Sequence, residues 1–166
     1  MDVLADTNIL VRGVHRKAAK HREAIRALSA LRARGDRICI VPQNVYEFWA
    51  VATRPIEANG LGLTPSQAHR VTGRVEQLCA VLRDPPELYD EWRRLIVAHG
   101  VSGKKTHDAR LVAAMTVHHI TQLLTFNSDD FSRYDGITVL HPASLAVSPG
   151  DVLADRGSQH QDRGAK

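Results

Sequence analysis

The sequence predicts an α/β protein: a three-layer α/β/α sandwich around a parallel sheet of about five strands. Two observations carry this. Short apolar runs at residues 3–5, 38–41, 78–82, 122–125 and 137–140 read as strands, and longer stretches with helical spacing lie between them. In addition, Asp6-Thr7-Asn8 passes straight from the first apolar run into Ile9-Leu10-Val11, so a strand hands over to a helix with almost no loop. In sheets of this kind, ligands sit beyond the carboxyl ends of the strands, which makes Asp6 the place to look for a site.

Each element has a local cause. After Asp6 the chain is expected to be helical over 8–14. A second helix is expected over 16–34, where Ala18, Ala19, Ile25, Leu28 and Leu31 form an apolar stripe among many basic residues. Gly35-Asp36 ends it. The strand at 38–41 closes at Pro42, and Gln43 or Asn44 opens a helix through Ala52. That helix ends before Pro55, because proline disfavours helix in the residue that precedes it. Thr64-Pro65 starts the next helix, with Gln67 placed to complete a capping box. The strand over 78–82 breaks at Asp84-Pro85-Pro86, and a helix follows over 87–98. Residues 100–105 form a link, Thr106 caps a helix over 107–119, and two further strands follow, the last at the sheet edge. The domain is read as residues 1–147. From 148 to 166 the composition turns to Gly, Ser, Gln and charges, the pattern of a disordered tail.

The bulk properties narrow the class. A chain of 166 residues with 43% hydrophobic and 24% charged residues has the make-up of one globular domain. It has no apolar run near the ~20 residues that span a bilayer and no signal-peptide pattern, so no membrane role is expected. Cys39 and Cys79 lie in apolar runs without metal-ligand spacing and are expected as buried free thiols in the cytoplasm. The net charge of +4 permits a polyanionic partner. The nine histidines form no zinc motif, and no phosphate-binding glycine loop occurs, which argues against a nucleotide cofactor. Trp49, Trp92, Phe48 and Tyr89 are assigned to the core.

The acidic residues carry the functional reading. Asp6 follows a strand. Glu47 lies among Val45, Tyr46, Phe48, Trp49 and Val51, where a lone carboxylate is costly to bury. Asp108 stands in the first turn of a helix, and Asn127, Asp129 and Asp130 follow the fourth strand. Helix capping or dipole effects explain several of these singly. Together they fall on one edge of one sheet. Carboxylates that converge repel one another unless a cation lies between them, and hard oxygen donors suit Mg²⁺ or Mn²⁺. Lys104, Lys105, Arg12 and Arg16 are candidate contacts to a nucleic-acid backbone, although each also reads as solvated surface.

These residues resemble the motifs of PIN-domain ribonucleases. Asp6-Thr7-Asn8 resembles the family's opening motif, and Glu47 in Val45-Tyr46-Glu47-Phe48 is similar to its second acidic position. His107-Asp108-Ala109 is similar to the third. The segment from Thr125 to Phe131 resembles the T-x-N-x-x-D-F stretch of the VapC toxins in that family. The resemblance covers residues 1–145. It implies an acidic cluster that binds Mg²⁺ or Mn²⁺ and hydrolyses RNA phosphodiester bonds, with Asp6, Glu47 and Asp108 as the metal-binding carboxylates. It further implies that Thr7 orients a phosphate or water, that the protein forms a homodimer, and that a small antitoxin blocks the site. The family's fourth position, often acidic, falls on Asn127 here. That leaves two readings, one in which Asn127 contributes through its amide and one in which Asp130 acts through a water.

Three other functions stay open on the residues alone. The first is a PIN-like nuclease in RNA processing without an antitoxin. The second is a non-catalytic binding module that kept the fold. The third, a phosphotransfer domain on Asp6, is disfavoured because a second aspartate two residues on is missing.

Overall fold

The computed structural model describes residues 1–145. The expected tail over 148–166 lies outside the described residues. The elements run β1 (Asp2–Ala5), α1 (Thr7–Val14), α2 (His21–Ala33), β2 (Arg37–Ile40), α3 (Pro42–Thr53), α4 (Pro65–Leu78), β3 (Ala80–Val81), α5 (Leu88–Ala98), α6 (Lys105–Val117), β4 (Gln122–Leu124) and β5 (Thr138–Leu140). The strands form one sheet in the order β3-β2-β1-β4-β5, and every pairing is parallel.

Side chains alternate across a strand, and the core divides accordingly. Val3 and Ala5 of β1, Ile38 and Ile40 of β2, and Leu124 of β4 face one layer, built with Ile9, Leu31, Phe48 and Ala68 from α1 to α4. Leu4, Cys39 and Leu123 face the other, where they meet Leu88 and Leu95 of α5 and the run Leu111 to Met115 of α6. Helices thus cover both faces, which is why the strands read as continuous apolar runs. The sandwich expected from the sequence is present. No helix among the described residues is long and apolar enough to cross a membrane.

The chain builds outward from β1 in one direction through β2 and β3, then returns to add β4 and β5 on the other side. The crevice at the carboxyl ends of β1 and β4 is therefore a topological switch point, the usual ligand position in open parallel sheets. Asp6 leaves β1 at this point, and its N–H donates to the Leu124 carbonyl at the end of β4 (2.9 Å).

Several boundaries differ from expectation. α2 begins at His21, and residues 16–20 form turns instead. Arg16, Lys17, Ala19 and Lys20 are exposed, so a helical turn there would have no apolar face to bury. Leu78 ends α4 and leaves β3 only Ala80–Val81, although Leu82 still donates to the Ile40 carbonyl (2.8 Å). α3 starts at Pro42, and the Asn44 side chain accepts from the Val41 N–H (2.9 Å). α6 starts at Lys105, ahead of Thr106, whose hydroxyl donates to the Gly103 carbonyl. The capping box at Thr64 and Gln67 forms as expected (3.3 and 2.8 Å). Phe48 is buried, Trp49 and Trp92 are partly buried, and Tyr89 is 61% exposed, which removes it from the core. Cys39 is buried and Cys79 only partly so.

Candidate active site

A cleft of about 730 Å³ opens at the switch point, and Asp6, Thr7, Asn8, Arg12, Glu47, Asp108 and Asn127 are among its lining residues. Five segments supply them: the β1–α1 junction, the last turn of α1, the middle of α3, the first turns of α6, and the loop after β4.

Asp6 occupies the N-cap position of α1, yet its side chain makes no capping bond. Its Oδ2 instead accepts from Asn8 Nδ2 and from the Thr125 hydroxyl, both at 2.7 Å. Asn8 also bridges to the β4 side, where its amide donates to Thr125 Oγ1 (3.0 Å) and its carbonyl accepts from the Phe126 N–H (3.2 Å). Thr125 Oγ1 in turn accepts from the Asn127 N–H (3.0 Å). The first carboxylate is thereby locked to the loop that presents Asn127.

Glu47 has a hydrogen bond on each oxygen. The Thr7 hydroxyl donates to Oε2 (2.6 Å), and Gln43 Nε2 donates to Oε1 (2.8 Å). Asn44, buried one turn earlier in α3, donates to Thr7 Oγ1 (3.2 Å). His107 Nδ1 lies 3.8 Å from Glu47 Oε1.

Asp6, Glu47 and Asp108 line one cleft, and two of them are electrostatically perturbed there. Burial pushes the Asp6 carboxyl above its ordinary range, and Glu47 adds to the effect against the opposing hydrogen bond from Thr125. Asp108 is pushed up to about 6, first by burial and then by the nearby charges of Asp130, Asp6 and Glu47, with Lys105 opposing. Lys105 Nζ lies 3.8 Å from Asp130 Oδ1.

The structure thus brings Asp6, Thr7, Glu47, Asp108, Asn127 and Arg12 to one cleft. Asp130 stands close enough to influence Asp108 without lining the cleft. Lys104 and Lys105 are exposed at the start of α6, and Arg16 is exposed beyond α1; none of the three lines the cleft. Sequence reasoning missed Gln43, Asn44 and Thr125 as members of the site's hydrogen-bond network. A signal existed for Gln43: it stands four residues before Glu47, the spacing that places two side chains on one helix face.

The donor set is hard, anionic and mutually repulsive, which fits a divalent cation such as Mg²⁺ or Mn²⁺. As the side chains lie, no three His, Cys, Asp or Glu residues among the described residues stand close enough to hold an ion. Binding would therefore have to draw the carboxylates inward.

A family model described as the PIN domain matches residues 3–137. Among solved structures, the chain is similar to VapBC2 of Rickettsia felis, bound to a DNA fragment from its promoter, with a TM-score of 0.64 at 15% identity, over 85% of this chain and 98% of that one. It is similar to a toxin-antitoxin complex from Klebsiella pneumoniae (TM-score 0.59, 22% identity, 84% and 97% covered). It is also similar to VapC20 of Mycobacterium tuberculosis, described as a Sarcin-Ricin loop cleaving toxin (TM-score 0.58, 18% identity, 77% and 92% covered). No curated protein matches the chain in sequence.

Proposed function

The chain belongs to the PIN-domain family, and from that membership we propose that it is a Mg²⁺- or Mn²⁺-dependent endoribonuclease, the toxin of a toxin–antitoxin pair. The observation that carries the proposal is the cleft itself. Asp6, Glu47 and Asp108, separated widely in sequence, line one space, where burial and then neighbouring acid charge, that of Glu47 included, disfavour the ionised forms of Asp6 and Asp108. Without a cation such an arrangement is electrostatically unfavourable.

In this reading Asp6, Glu47 and Asp108 hold the ion, with Asp130 as a further acid beside Asp108. The ion's chemistry is to polarise a phosphoryl oxygen and to lower the pKa of water. The chain's own residues do the rest. Thr7 and Gln43 fix the rotamer of Glu47, and Thr125 and Asn8 fix that of Asp6. Asn127 is a neutral residue of the cleft lining, and Arg12 offers a cation there for a flanking phosphate. Lys104 and Lys105 extend positive charge outside it. The likeness to a toxin–antitoxin complex supports an antitoxin partner, and a homodimer in the cytoplasm belongs to the same proposal. A nuclease of RNA processing without an antitoxin is the second reading; a short open reading frame beside the gene favours the toxin.

The test is cleavage of total RNA with and without Mn²⁺, beside the Asp6→Asn variant. Metal-dependent fragments from the wild type and none from the folded variant are expected. Equal cleavage by the variant would remove the site from the proposal, and cleavage indifferent to chelator would remove the metal.

A further inference from the structure

The cleft's acids are held by a second network that leads away from it. Gln43, buried near the start of α3, uses its amide three times. Nε2 donates to Glu47 Oε1 (2.8 Å) and to the His107 carbonyl (2.9 Å). Oε1 accepts from Arg110 NH1 (3.1 Å). The other arm of Arg110 donates to Asp84, in the loop between β3 and α5. This chain of bonds joins α3, α6 and that loop.

The amide can point only one way. Turned over, it would set its oxygen against the Glu47 carboxylate and the His107 carbonyl and its NH₂ against the Arg110 guanidinium, losing all three bonds and creating three repulsive contacts. Arg110, fixed by Asp84, therefore selects the orientation in which Glu47 receives an N–H. The same NH₂ group grips the carbonyl of His107, the residue immediately before Asp108. One side chain thus ties the carboxylate of α3 to the backbone that carries the carboxylate of α6.

We propose that Gln43, oriented by Arg110, is a positioning residue that sets the spacing of Glu47 and Asp108 across the cleft. The inference rests on the metal-dependent nuclease reading above. Groups that orient the ligands of a metal ion typically contribute 10- to 100-fold in metal affinity or activity when removed.

The test compares the full chain with Gln43→Met, which keeps volume and removes all three bonds, and with Arg110→Lys, which keeps the charge facing Asp84 but cannot fork to Gln43. Mn²⁺ affinity is measured by calorimetry, RNA cleavage is separated into kcat and KM, and folding is followed by thermal unfolding. For Gln43→Met the Mn²⁺ dissociation constant is expected to rise about 10- to 100-fold and kcat to fall by a similar factor, with KM within about twofold. Arg110→Lys should move both in the same direction by less, and it decides the matter if Gln43→Met fails to fold. A lowered Tm with unchanged Mn²⁺ affinity and kcat overturns the proposal and leaves Gln43 as a structural tether. A wild type that neither binds Mn²⁺ nor cleaves RNA overturns the nuclease reading, and the inference with it.

Discussion

Thr7 and Glu47 stand 40 residues apart in sequence and share a 2.6 Å hydrogen bond at the floor of the cleft. The threonine is the first residue of α1, directly beyond Asp6, and its hydroxyl also accepts from Asn44. One side chain therefore links the end of β1 to both the start and the middle of α3. Replacing Thr7 with Val removes both bonds and leaves the amide of buried Asn44 short of a partner. A loss of about 1–3 kcal/mol of stability is expected, against less than about 1 kcal/mol for Thr7→Ser, measured by urea unfolding.

The raised pKa of Asp108 has a consequence for stability. An acid whose pKa is higher in the folded chain than in the unfolded one holds its proton more tightly when folded. Its stabilising contribution is full below its ordinary value of 3.8 and is lost as pH rises through about 6. Asp6, raised by burial, acts in the same direction. In the absence of metal, Asp108→Asn should gain Tm relative to the wild type as pH rises from about 4 to about 6, and the difference should then level off. A pH-independent difference would count against an Asp108 carboxyl raised by burial and neighbouring charge.

Divalent metal should reverse that repulsion. With Mg²⁺ or Mn²⁺ at 100 times its dissociation constant the folded state gains about 2.7 kcal/mol, or about 5–10 °C in Tm for a domain of this size. The gain should shrink below about pH 6, where a proton on Asp108 competes with the ion. Melting curves that ignore millimolar metal at pH 8 would speak against a site at Asp6, Glu47 and Asp108.

Part of the cleft lining depends on Gly60. The loop after α3 folds back on itself: the Gly62 N–H donates to the Arg54 carbonyl and the Gly60 N–H to the Pro55 carbonyl, both at 2.9 Å. A Cβ on Gly60 would lie 2.0 Å from the Arg54 carbonyl oxygen, a clash with backbone that cannot swing aside. Gly60→Ala is expected to cost about 1–3 kcal/mol or more, read by thermal unfolding. Because Arg54, Ile56 and Leu61 line the cleft, it should also lower the proposed RNA cleavage.

Much of this molecule was legible in one dimension. Hydrophobic period and turn chemistry are local properties, so the order of strands and helices, the capping box at Thr64 and the stop at Gly35 could be read directly. Asp6, Glu47 and Asp108 stood out because each is a charge beside an apolar run. Boundaries were less legible. Residues 16–20 have helical composition but nothing to pack against, and the exposure of Tyr89 depends on which face of α5 meets the sheet.

What the sequence determined by itself was the fold class, since it follows from hydrophobic period and turn chemistry along the chain, whereas the choice of Asp6, Glu47 and Asp108 as the proposed site also drew on their resemblance to PIN-domain motifs. Only the tertiary structure decided that β4 lies beside β1, which brings Thr125 to Asp6, and that α6 passes α3, which brings Arg110 to Gln43. Contacts of that kind join residues more than 60 positions apart, and their partners are chosen by how whole layers pack, a property no local stretch of chain encodes.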